Sequence, residues 1–216
     1  MNASRSKQII AVACAVWVLA VAGGMGALSR YQFTPGAAAF PESDWPTDSS
    51  LLLATDRFSL LVFVHPECPC SRATLSELNR LLARCTNNVA TTVVFVASVN
   101  GLQAVQSTAL WNIAGISGVK RITDIGGVEA KRFDAATSGQ AYLYSPRGKL
   151  LFQGGITDSR GHEGDNAGSD AIVNLVQGKP AREEKSPVFG CPLRAPTRND
   201  TNTTGTTCKP VNREPL

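Results

Sequence analysis

Between residues 57 and 97 the chain reads as a buried strand, an amphipathic helix and a second buried strand, and this unit restricts the fold more than any other stretch. Segment 57–65 carries Phe58, Leu60, Leu61, Val62, Phe63 and Val64, a nearly unbroken apolar run that suits a strand covered on both faces. Leu75, Leu78, Leu81, Leu82 and Cys85 then recur at helical spacing within 74–85. Segment 91–97 is rich in β-branched residues and reads as the second strand. A strand, a helix and a strand in about 40 residues form a βαβ unit, which requires the strands to be parallel.

The chain beyond this unit supplies the partners such a sheet needs. A short helix is expected over 107–114 with Leu110 and Trp111 inward, a strand over 119–125 and a helical turn over 128–133. Segments 140–144 and 149–153 flank Ser145-Pro146-Arg147-Gly148, a turn signal that predicts an antiparallel hairpin. A Gly-rich loop follows, and then a helix over 167–176, capped by Asp165 or Asn166 and apolar at Ile172, Leu175 and Val176. The order βαβ then ββα predicts an α/β sandwich with a mixed sheet over 51–178.

Residues 9–28 form a run of 20 with no charge, which as a helix matches a bilayer core. Arg5 and Lys7 in 1–8 mark the cytoplasmic side, so the body is expected on the periplasmic or extracytoplasmic side of a single-pass inner-membrane protein. Gly24, Gly26 and Ala27 keep the rival reading of a cleaved secretory signal open. Segment 29–50, with Pro35, Pro41 and Pro46, reads as a linker, and 179–216 as an irregular or disordered tail. A net charge of +4, without a basic block, argues against nucleic acid as the main partner.

Chemistry concentrates at His65-Pro66-Glu67-Cys68-Pro69-Cys70-Ser71, between the first strand and its helix. A cysteine at a helix start meets unpaired N–H groups and the positive end of the dipole, both of which favour thiolate. Thiolate is the species that attacks disulfides, so this placement supplies a nucleophile at Cys68. Cys70 follows after one residue, and a Cys-x-Cys disulfide closes a small, strained ring that is easily reduced.

These residues resemble the thioredoxin-like superfamily, particularly its membrane-tethered periplasmic TlpA- and ResA-type members. Leu60 to Val64 is similar to the family's central strand, and Cys68 falls at its attacking cysteine. The segment 124–133 resembles the stretch before its substrate-contacting loop, and 142–150 its hairpin. Segments 161–168 and Phe189-Gly190-Cys191-Pro192 resemble the RedB-like subgroup. Two positions depart from the pattern. Ser71 stands where the family has its second cysteine, and Gly139, preceded by Ser138, stands at its cis-proline. The resemblance implies a thioredoxin-like fold and thiol–disulfide chemistry without a cofactor.

The expected function is therefore an exported, membrane-anchored thiol–disulfide oxidoreductase. Cys68 attacks and Cys70 resolves, or in the reverse direction the pair donates a disulfide; the partners are exported protein thiols or disulfides and an electron donor in the membrane. The rival readings are a metal-binding module resembling SCO-type copper proteins, with Cys68, Cys70 and His162 or His65 as ligands, and a thiol peroxidase using Cys68. His65 either tunes a thiol or simply ends the strand. Glu67 either assists proton transfer or is a solvated carboxylate, and Arg72 either steadies a thiolate or is a surface charge. His162 either reaches the site on its Gly-rich loop or stays at the surface. Cys191 either bridges Cys208 or folds back to resolve Cys68. Cys85 reads as a core residue and Cys14 as packing within the apolar segment.

Overall fold

The computed structural model describes residues 3–85, 88–98 and 102–194, with side chains from residue 7 onward. The chain forms two units, an N-terminal helix and a folded body that begins at Pro35. The helix, α1 (Ala3–Phe33), runs past both ends of the uncharged segment, and Lys7–Phe33 within it is long and apolar enough to cross a membrane.

The body is a five-stranded mixed sheet in the order β3-β2-β1-β4-β5, built from the βαβ and ββα units that the sequence predicts. Strands β1 (Phe58–Val64), β2 (Val89–Ala97) and β3 (Val119–Ile125) are parallel, and β4 (Gln140–Tyr144) and β5 (Leu150–Gly154) complete the sheet as an antiparallel pair. The period-2 alternation of β1 divides the core. Leu60, Val62 and Val64 face one layer, where Leu75, Leu78 and Leu81 of α2 (Ser71–Arg84) meet Ile172, Val173 and Val176 of α6 (Ala167–Val176). Leu61 and Phe63 face the other layer, with Phe133, Tyr142 and Tyr144. Asn166 is the cap of α6, its side chain accepting from the Ser169 N–H at 2.7 Å.

Local details depart from the sequence reading. The short helix expected over 107–114 forms as α4 (Ala109–Ile113), its start capped by the Thr108 side chain accepting from the Trp111 N–H, and an unexpected helix, α3 (Leu102–Gln106), precedes it. The helical turn expected over 128–133 forms as α5 (Val128–Arg132), which begins where Asp124 accepts from the N–H groups of Glu129 and Ala130. Helix α2 begins at Ser71, three residues ahead of its apolar periodicity.

Segment 35–54 lies along the body instead of standing off as a tether. Trp45 packs edge-on against Phe133 and Tyr144, both at 5.1 Å between ring centroids, and Glu129 accepts from the hydroxyls of Ser49 and Ser50. At the other end, residues 184–193 form a strap. It pairs with β5 through Gln153 N–H to Glu184 C=O (3.0 Å) and Ser186 N–H to Gln153 C=O (3.2 Å). The strap then runs antiparallel to the segment before β4, with Leu193 N–H to Ala136 C=O at 2.9 Å and Ser138 N–H to Cys191 C=O at 2.8 Å. The first part of the expected irregular tail is thus packed, because Val188, Phe189 and Leu193 are apolar enough to bury.

Candidate functional site

The site forms at the end of β1, where three segments distant in sequence meet. After Val64 the chain turns at His65, whose N–H donates to the Ser138 hydroxyl at 2.7 Å. The Glu67 N–H donates to His65 Nδ1 at 3.2 Å, and the Cys68 N–H to the His65 carbonyl at 3.1 Å. A second turn, Ser71 N–H to Cys68 C=O at 3.1 Å, leads into α2 with Cys70 as its N-cap. Cys68 therefore stands two residues ahead of the N-cap and not at the first position of the helix.

Cys68, Cys70 and Cys191 pack together in a buried cluster separate from the two core layers. Cys68 is 1% exposed, against 9% for Cys70 and 8% for Cys191. The Cys68 thiol is held far below its ordinary pKa, first by a hydrogen bond from the Cys191 side chain and next by one from Cys70. The Cys191 main-chain N–H and the Ser71 hydroxyl add to this, against the opposing cost of burial. Cys70 moves the other way. It is pushed up by donating to Cys68, by burial and by the nearby Cys68 charge, while Arg160 opposes the shift. Negative charge is thus favoured on Cys68 and disfavoured on Cys70. The sequence reading assigned the thiolate to the helix terminus, whereas the largest contribution is hydrogen bonding from neighbouring sulfurs.

Ser138 ties the segments together. Its hydroxyl lies 2.7 Å from that of Ser71, which is 1% exposed, and it also accepts from His65. Gly139 follows with φ +96°, a left-handed conformation that suits glycine, and its N–H donates to the Phe63 carbonyl at 2.8 Å.

The structure brings Cys68, Cys70, Ser71 and Cys191 together, with His65 and Gly139 as backbone supports. His65 Nδ1 is engaged in the turn, the plainer of its two readings. Glu67 and Arg72 are exposed. His162 is also exposed, and its Nε2 faces Gly164. The side chain that the Gly-rich loop sends to the site is Arg160, which hydrogen-bonds Cys70 and donates to the Gly190 carbonyl at 2.6 Å. Glu77 of α2 holds that loop by accepting from the Gly164 N–H at 2.8 Å, and Glu163 accepts from Ser76 at 2.8 Å. Among the described residues no group of three or more His, Cys, Asp or Glu side chains is arranged to hold a metal ion. Cys208 lies outside the described residues.

Sequence reasoning missed Arg160 and Ser138. The available signal was an arginine inside a Gly-rich loop, and a serine immediately before Gly139.

No family model matches the sequence, and no curated protein matches it. Solved structures share the fold. A hypothetical protein from Sinorhizobium meliloti 1021 superposes with a TM-score of 0.53 at 19% identity, over 74% of this chain and 93% of its own. An uncharacterized conserved protein from Geobacillus kaustophilus gives 0.52 at 19% identity, over 76% and 93%. A secreted disulfide oxidoreductase from Mycobacterium tuberculosis overlaps more loosely, at 0.41 and 18% identity over 58% and 84%.

Proposed function

We propose that this protein is a thiol–disulfide oxidoreductase in which Cys68 opens the exchange, the body being exported and anchored by α1. The observation that carries the reading is the polarised sulfur cluster. Cys68, Cys70 and Cys191 pack in one buried cluster, and hydrogen bonds from Cys191 and Cys70 lower the Cys68 pKa. Thiol exchange needs a nucleophilic sulfur and a second sulfur close enough to complete the reaction, and the site provides both. No cofactor is required, because the electrons come from the sulfur pair itself.

The substrates are protein thiols or disulfides outside the cytoplasm, with a membrane electron donor returning the site to its reduced form. Arg5 and Lys7 before the apolar helix support this side of the membrane. The Cys-x-Cys pair is the local version of the site. Arg160 hydrogen-bonds Cys70 there and opposes the upward push on its pKa.

The test is a disulfide-reduction assay on the full-length chain with dithiothreitol as reductant. Wild type turns over, and Cys68→Ser is expected to lose turnover. Equal rates for the two proteins would defeat the reading.

A further inference from the structure

We propose that Cys191, carried on the 184–193 strap, is the thiol that resolves the mixed disulfide on Cys68, in place of Cys70. This rests on the reading of Cys68 as the exchange nucleophile.

Placement is the first argument. Cys191 directs both its side chain and its main-chain N–H at Cys68. Its position is fixed by an antiparallel ladder at Cys191 itself and two residues on, Ser138 N–H to Cys191 C=O at 2.8 Å and Leu193 N–H to Ala136 C=O at 2.9 Å. Gly190 makes the close approach feasible, since a Cβ there would fall 1.8 Å from the Ser138 carbonyl oxygen. Arg160 holds the same turn of the strap through the Gly190 carbonyl.

Ring closure is the second. A Cys68–Cys70 disulfide spans only Pro69, whose ring fixes φ, and Cys70 is committed as the N-cap of α2, its carbonyl accepting from the Thr74 N–H at 3.4 Å. Cys191 arrives from a separate segment, so a bond from it to Cys68 closes no small ring and leaves the helix start intact.

Access is the third. Cys68 is 1% exposed beneath the strap, so a substrate disulfide reaches it only when the strap lifts. The strap that must leave to admit substrate is the segment whose return brings Cys191 back to the Cys68 sulfur. Resolution and closure are then one event.

The chemistry balances as two exchanges. The Cys68 thiolate attacks one sulfur of the substrate disulfide, forming the mixed disulfide and expelling a substrate thiolate, which takes up a proton. Cys191 loses its proton to solvent and attacks the Cys68 sulfur, forming Cys68–Cys191 and expelling the second substrate thiolate. The substrate gains two electrons and becomes a dithiol, and the protein becomes a disulfide. A dithiol reductant reopens it.

The experiment uses full-length protein, oxidised glutathione as probe and dithiothreitol as reductant, with peptide mapping of the products. Wild type oxidised by glutathione is expected to contain Cys68–Cys191. Cys191→Ser is expected to accumulate glutathione on Cys68 and to turn over at least about tenfold more slowly, whereas Cys70→Ser, which loses one donor to the Cys68 sulfur and so attacks more slowly than wild type, still forms Cys68–Cys191 and holds no glutathione on Cys68. A Cys68–Cys70 bond in wild type, or trapping in Cys70→Ser and not in Cys191→Ser, would overturn the assignment, and the wild-type map decides even if a variant fails to fold. If no protein ever carries glutathione or a disulfide at Cys68, the exchange reading itself has failed, and the role of Cys191 falls with it.

Discussion

Gly190 lies flush against Ser138, so close that a Cβ on the glycine would sit 1.8 Å from the serine carbonyl oxygen. This contact sets the depth at which the strap seats and therefore where Cys191 stands relative to Cys68. Gly190→Ala forces the strap outward. The expected cost is about 1–3 kcal/mol in urea unfolding, accompanied by a rise in the Cys68 pKa toward that of an ordinary thiol. A stability loss with no change in Cys68 acidity would show that the strap does not support the thiolate.

Ser138 joins His65 and Ser71 through one hydroxyl, at 2.7 Å to each. Ser138→Ala leaves the His65 N–H without its acceptor and removes a partner from the buried Ser71 hydroxyl. Urea unfolding is expected to show a loss of about 1–3 kcal/mol, the usual cost of orphaned buried polar groups. Glu67→Gln, at an exposed position of the same loop, is the control and is expected to stay within about 0.5 kcal/mol of wild type.

Arg160 pins the strap at Gly190 and opposes the upward push on Cys70. In Arg160→Gln the strap keeps its ladder bonds and loses a charge-assisted one, a loss worth about 1.5–3 kcal/mol. Amide exchange at Leu193, whose N–H donates to Ala136, is expected to quicken by roughly tenfold or more, while exchange in β1 stays unchanged. Unaltered Leu193 exchange would remove Arg160 from the account of strap closure.

The sulfur pair also predicts a shape for the pH dependence of stability. In the folded protein Cys68 is depressed and Cys70 raised, relative to an ordinary thiol value of 9.0. Below that value the unfolded chain keeps both protons and the folded chain only one, so stability rises with pH. Above it the unfolded chain loses both while folded Cys70 keeps its proton, and stability falls. Cys85, pushed up by burial, adds to that fall. Urea unfolding of the reduced protein is expected to show a maximum near about pH 9, and Cys68→Ser to lack the rising limb. A wild-type curve without that limb would contradict the assignment of charge to Cys68.

Local patterns carried most of the fold. The apolar run of β1, the Pro146–Gly148 turn between β4 and β5 and the Asn166 cap all express themselves within a few residues, so the sequence reading reached them. The strap did not announce itself, because its pairing with 136–138 is long-range and its flanks are polar. The linker expected over 29–50 has a related explanation, since its prolines suggest a tether while Trp45 has a docking place visible only once Phe133 and Tyr144 are assembled. Two of the three sulfurs of the site were plain at the β1–α2 junction. The third was an open alternative, because cysteine spacing does not determine which cysteines meet. Arg160 was passed over in favour of His162, since which side chain of a Gly-rich loop turns inward depends on the loop's anchoring to Glu77.

The central claim is that Cys68 is a thiolate at neutral pH, stabilised by the sulfurs around it. Ultraviolet thiolate absorbance of the reduced full-length protein in detergent, followed against pH and compared with Cys68→Ser, tests this directly. The account predicts one thiolate in wild type already present at neutral pH and absent from the variant. A Cys68 signal that appears only at or above the ordinary thiol range would contradict it.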